Sequence, residues 1–292
     1  MPAGAASFPT LRGPARIREL VGQWRARQQT VALVPTMGNL HEGHLSLARL
    51  ARGLADRVVV SVFVNPTQFG PGEDFAAYPR TLDEDVAKLA AGGTTDALYV
   101  PAVEEIYPFG LDEAVGFVLP EISRELCGAS RPGHFEGVAS VVCRLLHIVA
   151  PDTLVLGRKD YQQLIIVERL IADLSLPVRL AAGTIVRDAD GLALSSRNRY
   201  LSADERARAP ALHATLAAVG KAVRAGRRDY VSLQAEAVGR LRAAGFKPDY
   251  VEIRRADDLV RPEAADGGER LIVLGAASLG PARLIDNVPV EA

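Results

Sequence analysis

"LVPTMGNLHEGHLSLARLAR", residues 33–52, passes from an apolar run through two glycines and two of the chain's five histidines into a helical repeat. Thr30–Val34 reads as a short β-rich strand, and "RVVVSVFV", Arg57–Val64, as a longer one. Neither alternates with polar residues, as expected of parallel strands covered on both faces. Between them Leu45, Leu47, Leu50 and Leu54 fall near helical spacing. Thr30–Val64 is therefore a predicted βαβ unit, with its crossover right-handed by default.

The alternation continues outward. "TLDEDVAKLAAGG" reads as a helix opened by acids and stopped by Gly92 and Gly93, and "DALYVP" as the strand after it. In "FEGVASVVCRLLHIVAPD", Val138, Val141, Val142, Leu145, Leu146 and Val149 keep the i, i+3, i+4, i+7 pattern, with Pro151 just beyond. "TLVLG" and "DYQQLIIVERLIADL" repeat strand then helix. The first 185 residues thus predict a doubly wound, Rossmann-like α/β parallel sheet. From residue 186 the texture changes. Two Ala-rich helical stretches, about 203–225 and 230–244, precede "DYVEIRR", "RLIVLGAA" and "ARLIDNV", which suggests a smaller C-terminal α+β domain over 186–292.

Bulk properties narrow the classes of function. The 292 residues carry 48% hydrophobic and 24% charged side chains, ordinary for a globular enzyme. A net charge of −1 gives no global field for nucleic acid or an anionic membrane. No apolar run approaches the length of a membrane span. The opening "MPAGAASFPTLRGPAR" lacks the cationic start and apolar stretch of a signal peptide. Cys127 and Cys143 are the only cysteines and form no CxxC, which fits a reducing cytoplasm.

The quoted stretch places His41, Gly43 and His44 where a strand becomes a helix. Free N–H groups and the positive dipole end favour phosphate there. Gly38-x4-Gly43 has the glycine spacing of a P-loop, but His44 and Leu45 stand where that motif needs Lys and Ser/Thr. Imidazoles at such a site can donate to an α-phosphate as charge builds. Two other readings stay open on the residues alone: an H-x-x-H metal pair without a nearby third ligand, and a pair of helix-cap residues with no chemical task. Three more clusters add to the picture. Asn65 and Gln68 lie in the loop after the second strand, where neutral amides can hold a hydroxyl or carboxylate. Lys159, Asp160 and Gln163 mark another strand-to-helix switch, Asp160 as a possible cap. Ser195, Ser196, Arg197 and Arg199 crowd a polar loop at the predicted domain junction, where hydroxyls and guanidinium suit phosphate.

Taken together and in order, "PTMGNLHEGH", "FVNPTQF", "YPRT", "KDYQQL" and "DGLALSSRNRYLS" resemble the pantothenate synthetases (pantoate–β-alanine ligases) over Val31–Ser202. H-x-G-H alone marks only the wider nucleotidyl-transferase superfamily, whose second signature "LALSSRN" also resembles. The resemblance implies ATP-dependent condensation of (R)-pantoate with β-alanine through pantoyl adenylate, with magnesium accompanying ATP and a homodimeric assembly. It implies an ATP-binding segment of Met37, Gly38, Asn39, Leu40, His41, Glu42, Gly43 and His44, with His44 in the proton-donor position and His41 assisting at the phosphates. It further implies Gly157, Arg158, Lys159 and Asp160 at ribose and phosphate, Lys159 acting on the phosphates, and Val186 at adenine. Leu194, Ser195, Ser196 and Arg197 would close over the triphosphate. Gln68 and Gln163 correspond to the pantoate-binding glutamines, and Gln68 also borders the β-alanine site. The magnesium ligands stay unassigned, with Glu84 and Asp85 as nearby carboxylates. Three positions depart from the family pattern: Arg158 stands for the usual Glu, and Thr67 and Leu194 each stand for a Met. A superfamily member making a stable nucleotide product would not need paired glutamine sites. A nucleotide sensor without turnover would not need His44 and Lys159.

Overall fold

The computed structural model describes residues 8–263 and 270–290; the first seven residues of the opening segment lie outside them. The strands are β1 (Thr10–Leu11), β2 (Val31–Thr36), β3 (Arg57–Val62), β4 (Ala97–Tyr99), β5 (Thr153–Gly157), β6 (Arg179–Gly183), β7 (Lys247–Arg255), β8 (Leu271–Leu279) and β9 (Ala282–Val290). The helices are α1 (Pro14–Arg25), α2 (Glu42–Arg52), α3 (Leu82–Gly92), α4 (Val103–Ile106), α5 (Cys127–Ser130), α6 (His134–Val149), α7 (Tyr161–Asp173), α8 (Ala203–Arg208), α9 (Ala211–Arg224) and α10 (Tyr230–Ala243). The chain divides into two compact units. The first runs to Arg158 and takes in Ile166–Thr184; the second comprises Lys159–Ile165 and the chain from Ile185 on.

In the first unit six strands pair in the order β1-β4-β3-β2-β5-β6, every pairing parallel. β2 pairs with β3 on one side and β5 on the other, so the chain reverses its direction of travel across the sheet at β2. That is the switch point at which open α/β sheets take ligands. Val31, Ala32, Leu33 and Val34 are completely buried, which the unbroken apolar run requires. Ala32 and Val34 join Val58, Val60, Leu98 and Val155 in one cluster with Leu47, Ala48 and Ala51 of α2 and Leu89 of α3. By the two-residue period of a strand, Val31 and Leu33 face the other side, where α6 packs on β2 and on α1. Both faces are covered, as a doubly wound sheet demands.

β1 and β6 carry no sequence signal of their own. β1 has two residues, and "RLAAG" of β6 is partly exposed and ends in three small residues; it becomes a strand by pairing with all five residues of β5. In the second unit β7, β8 and β9 form an antiparallel sheet. α9 lies on β8 and β9, and α10 on β7. Leu212, Leu216, Val219 and Val223 recur at helical spacing and pack with Leu233, Leu241, Val273 and Leu284. The expected single stretch over 203–225 is two helices, α8 and α9, divided at Ala209–Pro210. Pro210 has no N–H for an i→i−4 bond, and its ring opposes the preceding turn.

One close approach joins a helix to a loop after the sheet. A Cβ on Gly137 of α6 would lie 2.2 Å from the Thr67 carbonyl oxygen and 2.5 Å from its carbon. Gly137→Ala is therefore expected to destabilise the protein by about 1–3 kcal/mol, the range for overpacking. Because the clash is with backbone and not with a side chain that could swing aside, the loss should lie toward the upper end and exceed the roughly 1 kcal/mol alanine gains in a helix interior. Urea or thermal unfolding of the two proteins measures the difference.

Candidate active site

The chain leaves β2 through a turn held by side chains from elsewhere. Thr36 donates its hydroxyl to the Ser61 carbonyl at 2.8 Å, and its Oγ1 accepts from Gly38 N at 3.2 Å. Gly38 has φ 80°, and a Cβ there would sit 3.0 Å from Val62 Cγ1 and 3.1 Å from Asp85 Oδ2. Asn39 comes next at φ 50°, a left-handed position that asparagine tolerates better than most residues. Asp85, in the first turn of α3, closes the loop: Oδ2 accepts from Asn39 N at 2.9 Å and Oδ1 from Leu40 N at 2.7 Å. One turn on, Lys88 Nζ donates to the Leu40 carbonyl at 2.8 Å. Asp85 is fully buried. Burial pushes its carboxyl up from the ordinary range, and the Leu40 and Asn39 amides pull it back only in part.

His41, in an extended conformation, is the N-cap of α2. Its Nδ1 accepts from Gly43 N at 3.1 Å, and His44 Nδ1 accepts from His41 N at 3.3 Å. The ring centroids are 4.1 Å apart. A backbone N–H can only donate, so in each neutral ring the proton sits on Nε2. Capping and donation are thus compatible: Nδ1 serves the helix, and Nε2 is the donor. Both sit at the helix end where the dipole favours an anion.

Asn65 and Gln68 lie after β3, at the same edge of the sheet. Asn65 is completely buried. Its Nδ2 donates to the Gly137 carbonyl at 3.1 Å and to Gln68 Oε1 at 3.0 Å. Its Oδ1 accepts from the Tyr107 hydroxyl at 2.9 Å, the Thr67 hydroxyl at 3.0 Å and Thr67 N at 3.4 Å. The Gly137 carbonyl can only accept and Thr67 N can only donate, so the Asn65 amide has one possible orientation. Gln68 inherits its own: Oε1 faces Asn65, and Nε2 remains as the donor.

The remaining sequence-predicted residues belong mostly to the second unit. Gly157 ends β5, and Arg158–Asp160 form a short 3-10 turn leading into α7, which carries half-buried Gln163. Lys159 Nζ lies 3.9 Å from Asp160 Oδ1, and the Lys159 carbonyl accepts from Asn287 Nδ2 at 3.1 Å. Lys159, Ser195, Asn198, His213 and Asp286 line one small concavity. Val186 and Leu194 are tied by Leu194 N donating to the Val186 carbonyl at 3.0 Å across a tight turn. Ser195 Oγ accepts from Arg197 N at 3.3 Å and opens the 3-10 helix Ser196–Tyr200. Arg187 grips Asp286 with two bonds of 2.6 and 2.9 Å. Burial alone would raise the Asp286 carboxyl, but His213 and Arg187 outweigh it and hold the group below the usual aspartate value.

Asp85, Tyr107 and Asp286 are supports that motif reading passes over. Asp85 is one of three acids in the first turn of α3, and only its burial distinguishes it. As a magnesium candidate it is already committed, since both oxygens hold backbone amides; Glu84 is exposed, 3.8 Å from Lys88 Nζ. Among the described residues no group of three or more His, Cys, Asp or Glu is arranged to hold a metal ion. An ion carried in by a polyphosphate, with water and one or two carboxylates, needs no such cage.

A family model described as "Pantoate-beta-alanine ligase" matches residues 10–289. The pantothenate synthetase of Halorhodospira halophila is 56% identical over 274 residues, covering 93% of this chain and 95% of that protein. Among solved structures, pantothenate synthetase from Thermus thermophilus superposes with a TM-score of 0.88 at 42% identity, covering 98% of this chain and 100% of that one. Pantoate-beta-alanine ligase from Francisella tularensis, complexed with beta-gamma ATP and beta-alanine, gives 0.81 at 32% identity, covering 98% and 99%.

Replacing Asp85 by Ala strands two buried N–H donors. The expected cost is about 1–3 kcal/mol for each donor left unsatisfied, read as a fall in the denaturation midpoint. The amides of Asn39 and Leu40 should also lose hydrogen-exchange protection.

Proposed function

The chain belongs to the pantoate–β-alanine ligase family, and from that membership we propose how its own residues carry the reaction. The enzyme condenses (R)-pantoate with β-alanine at the expense of ATP. The pantoate carboxylate attacks the α-phosphorus, expelling pyrophosphate and forming pantoyl adenylate. The β-alanine amine then attacks the acyl carbon, and AMP departs.

His44 is assigned as the donor that supports charge developing at the α-phosphate, with His41 assisting at the phosphates. One observation carries this assignment: each Nδ1 is bound to a backbone N–H of the α2 terminus, which leaves Nε2 protonated in the neutral ring. The rest of Met37–His44 is assigned to the ATP segment, at the α2 N-terminus where the positive end of the helix dipole favours an anion. Gln68 and Gln163 bind pantoate, and Gln68 borders β-alanine. An amide donor holds a carboxylate without the charge neutralisation that would blunt its attack. Gly157, Arg158, Lys159, Asp160, Val186 and Leu194–Arg197 complete the nucleotide contacts, with Lys159 on the phosphates. Magnesium belongs to the substrate side, entering with ATP. In the same proposal residues 1–185 bind ATP and pantoate, and residues 186–292 are a lid that keeps water from the acyl adenylate. A homodimer accords with the family resemblance. A cytosolic location accords with a sequence of two cysteines that form no CxxC.

Oxygen-18 in the pantoate carboxylate should appear in AMP; label in pyrophosphate and none in AMP would rule out attack at the α-phosphate. The assignment of His44 has its own test. His44→Ala should lose about 1 kcal/mol of stability, because it removes the capping-box acceptor for His41 N, and slow adenylate formation by roughly a hundredfold or more, the scale of one lost preorganised donor. Supplied pantoyl adenylate should be converted with a smaller defect. A folded variant forming adenylate at the parental rate would reduce His44 to a capping role.

A further inference from the structure

The backbone of Gln68 is held as firmly as its side chain. Its carbonyl ends the 3-10 turn Pro66–Gln68 and accepts from two side chains that lead into α6: Arg131 Nη2 at 3.1 Å and His134 Nδ1 at 2.8 Å. A carbonyl only accepts, so His134 Nδ1 carries a proton. Arg131 Nη1 lies 3.0 Å from His134 Nε2. A guanidinium only donates, so Nε2 is the acceptor and the ring is neutral. Arg131 is itself clamped by Glu73, Nε to Oε1 at 2.8 Å and Nη2 to Oε2 at 2.6 Å. Both partners are largely covered, with 14% and 24% of their side chains exposed.

We propose that Arg131 is a positioning residue for the two non-nucleotide substrates, acting through Gln68. It fixes the Gln68 carbonyl from one side while Asn65 fixes the side-chain oxygen from the other. With both anchors in place the Gln68 side-chain amide is held in one orientation, its Nε2 turned to donate. The inference deepens the assignment of Gln68 to pantoate and β-alanine, and rests on it. A guanidinium suits the task because three acceptors surround it in different directions: the Glu73 carboxylate, the Gln68 carbonyl and His134 Nε2. A planar fork of five donors meets all three; a lysine ammonium is a point charge and does not. Glu73 binds the cation through both oxygens, so the guanidinium is committed to geometry and is not an open charge for an anionic substrate.

The test is steady-state kinetics of Arg131→Lys and Glu73→Gln beside Gln68→Ala, each varied in pantoate, β-alanine and ATP. Arg131→Lys should raise the KM for pantoate and for β-alanine about tenfold or more, since small misplacements of a binding group are costly, and leave the KM for ATP unchanged. Glu73→Gln should shift the same two constants less, because the amide oxygen still accepts one guanidinium bond. In the Gln68→Ala background Arg131→Lys should add nothing further, as expected of residues acting as one unit. A folded Arg131→Lys enzyme with parental constants overturns the inference while Gln68→Ala is impaired, and so do additive losses in the double variant. A Gln68→Ala enzyme with parental constants overturns both the inference and the assignment beneath it. If Arg131→Lys does not fold, Glu73→Gln decides by the same criteria.

Discussion

The turn after β2 has to leave the middle of a parallel sheet and start a helix within a few residues, and a single buried carboxylate makes that possible. Backbone amides buried in such a turn need acceptors, since a stranded donor costs as much as a lost hydrogen bond. Gly38 and Asn39 take left-handed conformations that leave the Asn39 and Leu40 amides without helix or sheet partners, and Asp85 receives both. The cost is visible in the carboxyl itself, pushed upward by burial. The path of the next segment depends on these two bonds: His41 becomes the cap, α2 begins at Glu42, and α2 packs over β2, β3 and β5. The same helix covers the core and carries the two imidazoles, so an error in the turn would propagate into both packing and chemistry.

The second constraint is orientational. An amide side chain reads the same in sequence whichever way it points, yet only its N–H₂ end can hold a carboxylate. Here backbone groups make the choice, through Gly137 as acceptor and Thr67 N as donor on either side of Asn65. Thr67 stands where the sequence resemblance implies methionine. Its hydroxyl adds a second O–H beside Tyr107 at Asn65 Oδ1, a bond no thioether could donate. The threonine hydroxyl therefore reinforces the orientation of the Asn65 amide.

Legibility from sequence tracked the range of the interactions involved. β2, α2 and β3 were readable because an apolar run, a change of period and a second apolar run are local signals. α6 was readable because its apolar face repeats over four turns. β6 was not, because five residues with no apolar run or alternation, three of them Ala or Gly, become a strand only through pairing with β5. The break between α8 and α9 had a local signal in Pro210 that the surrounding alanines masked. The motif residues of the first unit could be named, but not what holds them. Asp85 meets residues 45 and 46 positions away, and Arg131 meets Gln68 across 63. Nothing in "LDEDV" or "SRPGH" announces such partners.

The second unit repeats this arrangement on its own strand. Asp286 and Asn287 are adjacent on β9; one grips Arg187, next to Val186, and the other donates to the Lys159 carbonyl. Asp286 stays ionised despite its burial because a guanidinium and His213 face it. Two segments assigned to the nucleotide therefore hang on two consecutive residues that belong to neither motif. In both units the side chains assigned to chemistry are imidazoles, amides and cations, and buried carboxylates from another element, Asp85 and Asp286, hold the segments that carry them. These supports, silent in any motif, should be as intolerant of change as the motifs themselves.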